Sequence, residues 1–172
     1  SPWNARPLEP TLADASVPPG RYAPSVAEGM WSTGVFVAKP QDPPMDIQPA
    51  PGKPGVWDPD AEANVALVHL AHWPAGVKPA EGSDGHAEVI DVATGVIHSF
   101  WQLREAGGRW TATQHAWSRL DGRGFGDPAH YMQGARSAGV PTLAGLIRKA
   151  EVRDRAPMYP HALAMSLARE GL

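Results

Sequence analysis

The stretch GSDGHAEVIDVATGVIHSFWQL, residues 82–103, decides the fold of this chain. A polar turn leads into an extended run at 86–92, and a second run at 96–103 follows the break ATG. Val, Ile, Phe and Trp fit the pleated, half-buried surface of a sheet. A short break with a glycine between two such runs is typical of a β-hairpin. The stretch therefore predicts two paired antiparallel strands.

The length of the hairpin loop determines which side chains face each other across the two strands. A three-residue loop would place His86 opposite Gln102, whereas a loop of two or four residues would place it opposite Leu103 or Trp101. Side chains alternate between the faces of a strand, so His86 and Glu88 share one face. The hairpin thus gathers imidazole, carboxylate and amide groups in one region.

Further short strands are predicted on both sides of the hairpin, from runs that are rich in Val or that alternate in polarity. They lie at residues 34–39, 65–72 and 109–120. The Gly-Gly turn at 107–108 makes a second hairpin signal, so three strands in series are expected to form an antiparallel meander.

The distribution of prolines divides the chain into an arm and a core. Fifteen of the nineteen prolines lie in residues 1–80, and each proline removes a backbone donor and fixes φ. We therefore expect residues 1–60 to form a loop-rich arm, with a long irregular crossing at 39–59. The arm would pack on a β-sandwich core at 61–172, and the two parts together would form one structural domain.

The C-terminal part of the chain carries only short elements. An apolar run at 142–147 and a helical turn at 149–153 precede a final strand or short helix at 161–167. Many short strands, Gly and Pro turns and little helix predict an all-β sandwich. An antiparallel jelly-roll or concanavalin-like pair of sheets is the natural form, with a small barrel as the alternative.

The composition excludes several classes of protein. The length of 172 residues suits one domain, and a chain of this size buries a sizeable core. The net charge of −3 provides no electrostatic footprint for nucleic acid. No apolar run reaches the roughly 18 residues of a membrane span. The absence of cysteine excludes disulfides and thiolate metal sites.

Three segments together carry a resemblance to a known family. They are SDGHAEVIDVATGVIHSFWQL at 83–103, GVPTLAGLIRKAEV at 139–152 and HALAMSL at 161–167. They resemble a family of secreted bacterial and fungal β-sandwich proteins with a DGH…VID..TG…FWQ hairpin, an LAGLI-like segment and a later HAL strand. The resemblance covers about half of the chain. It implies an extracellular location and a protein that binds or depolymerises polysaccharide.

The resemblance also implies a missing part of the sandwich. In the family the chain continues past the HAL strand through further strands, whereas this sequence ends at Leu172. An unpaired sheet edge invites another strand. Either a second chain completes the sheet, or a C-terminal fragment cut from a longer precursor after Leu172 does so. We expect the second arrangement.

The candidate catalytic residues are His86, Glu88 and Gln102, with His161 added by the family pattern. His86 and Glu88 lie roughly 7 Å apart along a strand. In a polysaccharide lyase, a His or Tyr removes the proton next to a uronate while Gln, Asn or Arg neutralises the carboxylate. The structural alternative is a hydrogen-bonded hairpin histidine and a solvent-facing glutamate.

A glycoside hydrolase would instead need two carboxylates on either side of the scissile bond. Glu88 with Asp84 or Asp91 could supply them. Asp84 is also a common turn former, so the hydrolase and the structural explanations both stay open.

The candidate substrate-binding residues follow from the seven tryptophans. An indole can stack on a sugar ring, and an aromatic platform with cationic and phenolic partners would suit a glycan groove. The chosen residues are Trp101, Trp117, Tyr131 and Arg136. The alternative is that each indole packs in the core or anchors the arm.

Metal binding and cofactors are not predicted. Pairs and triples such as His69 with His72, or Asp84 with His86 and Glu88, match no specific metal signature. Two hypotheses stand: an extracellular polysaccharide lyase or glycoside hydrolase, and a non-catalytic glycan-binding or assembly module, such as a processed chain of a larger surface or virion protein. Convergence of His86, Gln102 and His161 within hydrogen-bond reach in one cleft would favour the enzyme.

Overall fold

The fold is seen in a computed structural model, which describes residues 29–122, 141–154, 159–161 and 163. The strands are β1 Gly34–Ala38, β2 Met45–Pro49, β3 Val56–Asp58, β4 Ala63–Val65, β5 Val68–Leu70, β6 Ala87–Asp91, β7 Val96–Trp101, β8 Arg104–Ala106, β9 Arg109–Ala112 and β10 Gln114–Arg119. The helical elements are two 3₁₀ turns, Gly29–Trp31 and Thr142–Gly145, and the helix α1 Lys149–Arg153.

The strands form two sheets. The larger sheet has the order β1-β6-β7-β10-β3-β4, and the smaller sheet has the order β5-β2-β9-β8. The predicted class, an all-β sandwich, is confirmed. The sheets are mixed rather than wholly antiparallel, since β1 runs parallel to β6, β3 to β10 and β2 to β9. Parallel neighbouring strands need a long connection. The segments of chain that connect these parallel partners contain strands of the other sheet.

The predicted hairpin forms as β6 and β7, with Ala87 opposite Phe100 and Asp91 opposite Val96. The loop at 92–95 has four residues, which is the register that continues to His86 opposite Trp101. Asp91 closes the loop because its Oδ1 accepts the N–H groups of the residues two and three positions later, at 2.9 and 3.2 Å.

The predicted irregular crossing at 39–59 is wrong, because the structure forms β2 and β3 there. Pro49 is the last residue of β2, and the ladder continues through the N–H of Ala50, which donates to Ala112 O at 3.0 Å. A proline at a strand end removes no ladder bond that the sheet needs. Residues 34–58 thus contribute three strands, while residues 1–28 of the expected arm lie outside the described residues.

Two predicted strands are each divided between the sheets. The run at 65–72 breaks into β4 in the larger sheet and β5 in the smaller sheet. The run at 109–120 crosses from β9 to β10 at Thr113, where the alternation of faces also shifts by one residue. Ala112 and His115 are therefore both buried between the sheets, although continuous alternation would place them on opposite faces.

The core lies between the inner faces of the two sheets. Both sheets contribute apolar side chains to one cluster, formed by Ala38, Ile47, Val56, Val68, Leu70, Trp73, Ala87, Val89, Phe100, Leu103 and Ala112. Trp73 packs edge-on against Phe100 and Trp110, with ring centroids 6.1 and 5.0 Å away. Trp73 is therefore a core residue.

The first of the C-terminal elements, the 3₁₀ turn Thr142–Gly145, lies against the outer face of the larger sheet. The apolar run at 142–147 forms a 3₁₀ turn over Glu88, and the predicted helical turn is confirmed as α1. Of the predicted closing element at 161–167, only His161 and Leu163 belong to the described residues. The jelly-roll topology and the completion of the sheet by a further segment stay predictions.

Candidate functional site

Glu88 is buried and holds the C-terminal segment on the outer face of the larger sheet. Its carboxylate accepts hydrogen bonds from Ser99 Oγ at 2.9 Å, from the N–H of Thr142 at 2.6 Å and from the N–H of Leu143 at 3.1 Å. The side chain is almost fully covered, with 1% of the residue exposed. Desolvation by burial raises the pKa of Glu88, although hydrogen bonds from Ser99, Leu143 and Thr142 oppose that rise. The carboxylate oxygen atoms of Glu88 therefore have a structural role, because they hold the C-terminal segment on the sheet.

His86 lies beside the polar turn that precedes β6. Its Nε2 is 3.9 Å from Asp84 Oδ2, and Asp84 Oδ1 accepts a 3.4 Å hydrogen bond from the indole Nε1–H of Trp101. The Asp84 side chain is 64% exposed and that of His86 is 18% exposed. Three of the polar groups of the hairpin thus meet at one accessible point.

Gln102 directly follows β7 and has a left-handed backbone conformation, with φ of 53°. Its Oε1 accepts the hydroxyl of Thr113 at 2.7 Å, and its backbone N–H donates to Asp84 O at 2.7 Å. The side chain therefore ties the end of the hairpin to the point where the chain crosses from β9 to β10.

His161 lies on the C-terminal segment, next to α1. Its Nε2 is 3.0 Å from Glu151 Oε1, and the same carboxylate accepts the N–H of Arg148 at 2.7 Å. The two side chains are 3% and 9% exposed. The geometry thus places His161 in a covered, hydrogen-bonded pair with Glu151. Tyr131 and Arg136 lie outside the described residues.

Trp101 and Trp117 lie on opposite faces of the larger sheet. Trp101 is paired with Gln114, and Trp117 is paired with His98 three positions further along β10. Because faces alternate along a strand, an interval of three positions reverses the face. The predicted platform that contains both indoles is therefore not formed by these two residues.

A second indole does share the outer face with Trp101. Strand pairing aligns Trp101 on β7 with Gln114 on β10, Gln114 with Trp57 on β3, and Trp57 with Asn64 on β4. We call these four residues the tryptophan row. Trp57 is 37% exposed, and Asn64 at the edge is exposed as well. The row thus presents two indoles with an amide between them and an amide at one end.

Sequence reasoning assigned Trp57 to the arm and missed the row. Trp57 and Gln114 are far apart in the chain and meet through a parallel pairing, which leaves no local spacing signal. The available signal was the sequence VWD at 56–58, in which the indole alternates with a buried valine.

Two histidines on the inner face form a second cluster that the sequence did not suggest. His98 Nδ1 and His115 Nε2 are 3.0 Å apart, and the rings stack with centroids at 5.3 Å. Burial lowers the pKa of His98 to about 4, against an opposing effect of Asp91. Burial and then the charge of His98 lower the pKa of His115 to about 3. Both imidazoles are therefore neutral at physiological pH.

Near this pair, Asp91 Oδ2 is 2.9 Å from His72 Nδ1. Burial opposes ionisation of Asp91, but hydrogen bonds from His72 and from the loop at 93–94 outweigh it, so the pKa of Asp91 is lowered. Within the described ranges, no group of three or more His, Asp and Glu side chains is arranged to hold a metal ion.

Comparison with protein-family models, with curated proteins and with solved structures found no match to this chain. Among the helices that the structure describes, none is long and apolar enough to cross a membrane. The architecture therefore defines the class, an all-β sandwich with mixed sheets, and the outer face provides the site with the clearest chemistry.

Proposed function

We propose that this protein is an extracellular glycan-binding module and that the tryptophan row is its binding surface. The observation that carries the proposal is the alignment of Trp101, Gln114 and Trp57 across three neighbouring strands. An indole offers a flat apolar face with a polar N–H, and an amide both donates and accepts hydrogen bonds. Sugar rings carry apolar C–H faces and rims of hydroxyl groups, which these side chains complement.

The state of the predicted catalytic groups also supports binding rather than catalysis. Glu88 is enclosed by three hydrogen-bond donors, and His161 is covered in a pair with Glu151. Neither side chain offers an exposed acid or base at the surface of the hairpin. The resemblance to secreted β-sandwich proteins supports the extracellular setting.

The contribution of Trp57 to binding follows from its exposed area. A tryptophan offers about 150–250 Å², and 37% of this residue is exposed. A ligand that covers most of that area gains about 1–2 kcal/mol at ~25 cal/mol per Å². This gain corresponds to an affinity change of about 5- to 30-fold.

Affinity electrophoresis against a panel of neutral and acidic polysaccharides tests the proposal. Wild-type protein should be retarded by at least one glycan, and Trp57→Ala and Trp101→Ala should each lose most of that retardation. Trp117→Ala is the matched comparison, because Trp117 is 48% exposed but lies on the opposite face. Loss of binding in Trp117→Ala with retention in Trp57→Ala would contradict the assignment.

A polysaccharide-cleaving enzyme is the second candidate, and the meeting of His86, Asp84 and Trp101 favours it. An imidazole beside a carboxylate can exchange protons with a sugar that stacks on the neighbouring indole. Incubation with the retained glycan should then release reducing ends, and a lyase would add the ultraviolet absorbance of an unsaturated product. Cleavage that is lost in His86→Ala would support the enzyme, and no cleavage by wild-type protein would exclude it for that glycan.

A further inference from the structure

We propose that the tryptophan row selects a neutral, extended polysaccharide whose chain runs across the strands, from Asp84 at the hairpin to Asn64 at the edge of the larger sheet. This inference rests on the proposed function and adds the class of glycan, the direction of the chain and the shortest ligand that fills the site.

The charges of the strand side chains on the outer face indicate a neutral ligand. In the described strands, the side chains on this face are those of Val35, Val37, Trp57, Asn64, Glu88, Ile90, Ile97, Ser99, Trp101, Gln114, Ala116 and Ser118. None is a lysine or an arginine, and the one ionisable group, Glu88, is buried under the C-terminal segment. Recognition of carboxylates or sulfates uses Arg or Lys donors, so these strand positions provide no acid-binding contact.

Arg104 lies near the hairpin end of the row, and three of its five N–H donors are used within the chain. Its Nη2 donates to Gly82 O at 2.7 Å and to Ser83 O at 3.0 Å, and its Nη1 donates to Leu103 O at 2.8 Å. Arg104 therefore fastens the polar turn. Asp84 adds an exposed carboxylate at this end, which accepts sugar hydroxyls and repels an acidic polymer.

The spacing of the indoles sets the direction and length of the ligand. Trp101 and Trp57 lie on strands separated by one other strand, β10, and neighbouring strands are about 5 Å apart. The indoles are thus separated by roughly two strand spacings across the sheet, which is close to the distance between alternate rings of an extended polysaccharide. Three consecutive rings therefore span the site, with two over the indoles and the middle one over Gln114.

The polar side chains along the tryptophan row are placed to form hydrogen bonds with the hydroxyl groups of a bound glycan. Gln114 lies between the two indoles, and Asn64 lies beyond Trp57. Asp84 lies at the edge of Trp101, where its Oδ1 accepts the indole N–H. Amide and carboxylate groups at successive positions match a chain that offers a hydroxyl at each ring.

Isothermal titration calorimetry with a ladder of neutral β-linked glucose oligosaccharides, from disaccharide to hexasaccharide, tests the inference. Affinity should rise by about 5- to 30-fold between the disaccharide and the trisaccharide and change little beyond it. In Trp57→Ala the trisaccharide should bind only as tightly as the disaccharide does. An oligouronate of equal length is the acidic comparison and should bind at least tenfold more weakly.

The outcomes separate this inference from the proposed function. Equal or tighter binding of the oligouronate, or a disaccharide that binds as tightly as longer chains, would overturn the inference while glycan binding itself stands. Binding to a neutral polysaccharide with a different linkage, with the same length step and the same loss in Trp57→Ala, would support it. No binding to any neutral or acidic glycan would overturn both.

Discussion

The buried pair of His98 and His115 should make the fold sensitive to acid. Their pKa values are about 4 and about 3 in the folded protein, whereas an unfolded histidine has a pKa of about 6.5. Between these limits the unfolded chain binds protons that the folded chain does not bind. Stability is therefore fully present above about pH 6.5 and is lost as the pH falls through this window.

The size of the effect follows from the number of protons. Each proton bound only by the unfolded state lowers the free energy of unfolding by about 1.4 kcal/mol per pH unit. Two histidines give a slope of about 3 kcal/mol per pH unit near pH 5. Over the whole window, the loss approaches the total stability of a small domain, roughly 5–15 kcal/mol.

Denaturant unfolding at several pH values between 4.5 and 7.5 measures this slope. The variant His115→Phe places an apolar ring next to Phe100, whose centroid is 4.9 Å from that of His115, and should remove about half of the slope. His69→Gln is the control, because His69 is exposed and pairs with Asp46 on the surface. A slope in His115→Phe that equals the wild-type slope would refute the reasoning.

Two further substitutions test contacts that position the outer face. Glu88→Gln keeps the shape of the side chain but turns one acceptor oxygen into an N–H donor that faces the backbone N–H of Thr142 or Leu143. Denaturant unfolding should therefore show a free energy of unfolding that is lower by about 1–3 kcal/mol. An unchanged free energy of unfolding would argue against a structural role for Glu88. Gly85→Ala should lower the melting temperature more than Gly76→Ala, because both glycines have positive φ but only a Cβ at Gly85 would clash with the Arg104 guanidinium. Equal shifts of the melting temperature would show that this turn is not tightly closed.

The local parts of the fold could be predicted from the sequence. The hairpin at 86–103 combines β-branched runs with a glycine in the loop, and both signals depend only on neighbouring residues. The helical turn at 149–153 was similarly local. The pairing of β1 with β6 and of β3 with β10 could not be predicted, because parallel partners are chosen by packing between sheets.

The prediction of an irregular crossing at residues 39–59 was wrong because it was based on the number of prolines there. The sequence alone does not show that Pro49 falls at the end of β2, where a missing N–H is tolerated. The sequence also does not show that the chain passes from one sheet to the other at Thr113, because a one-residue shift in the alternation of faces does not change the amino-acid composition. Chain regions that change sheets thus look like single strands or loops in the sequence.

The candidate site was predicted in part. The concentration of polar and aromatic groups around His86 and Trp101 was visible in the hairpin, and the structure places Asp84 between them. The role of Glu88 was not visible, since its donors come from residues 142–143, more than fifty positions later. Trp57 could be assigned to the site only after the order of the strands in the larger sheet was known.

The most direct test of the central claim is the change in glycan affinity on removing each of three exposed or half-exposed indoles. Dissociation constants for one retained neutral glycan would be measured for wild-type protein and for Trp57→Ala, Trp101→Ala and Trp117→Ala, each checked for an unchanged fold by circular dichroism. The tryptophan row predicts weaker binding by about 5- to 30-fold in the first two variants and unchanged binding in the third. Unchanged binding in Trp57→Ala and Trp101→Ala would contradict it.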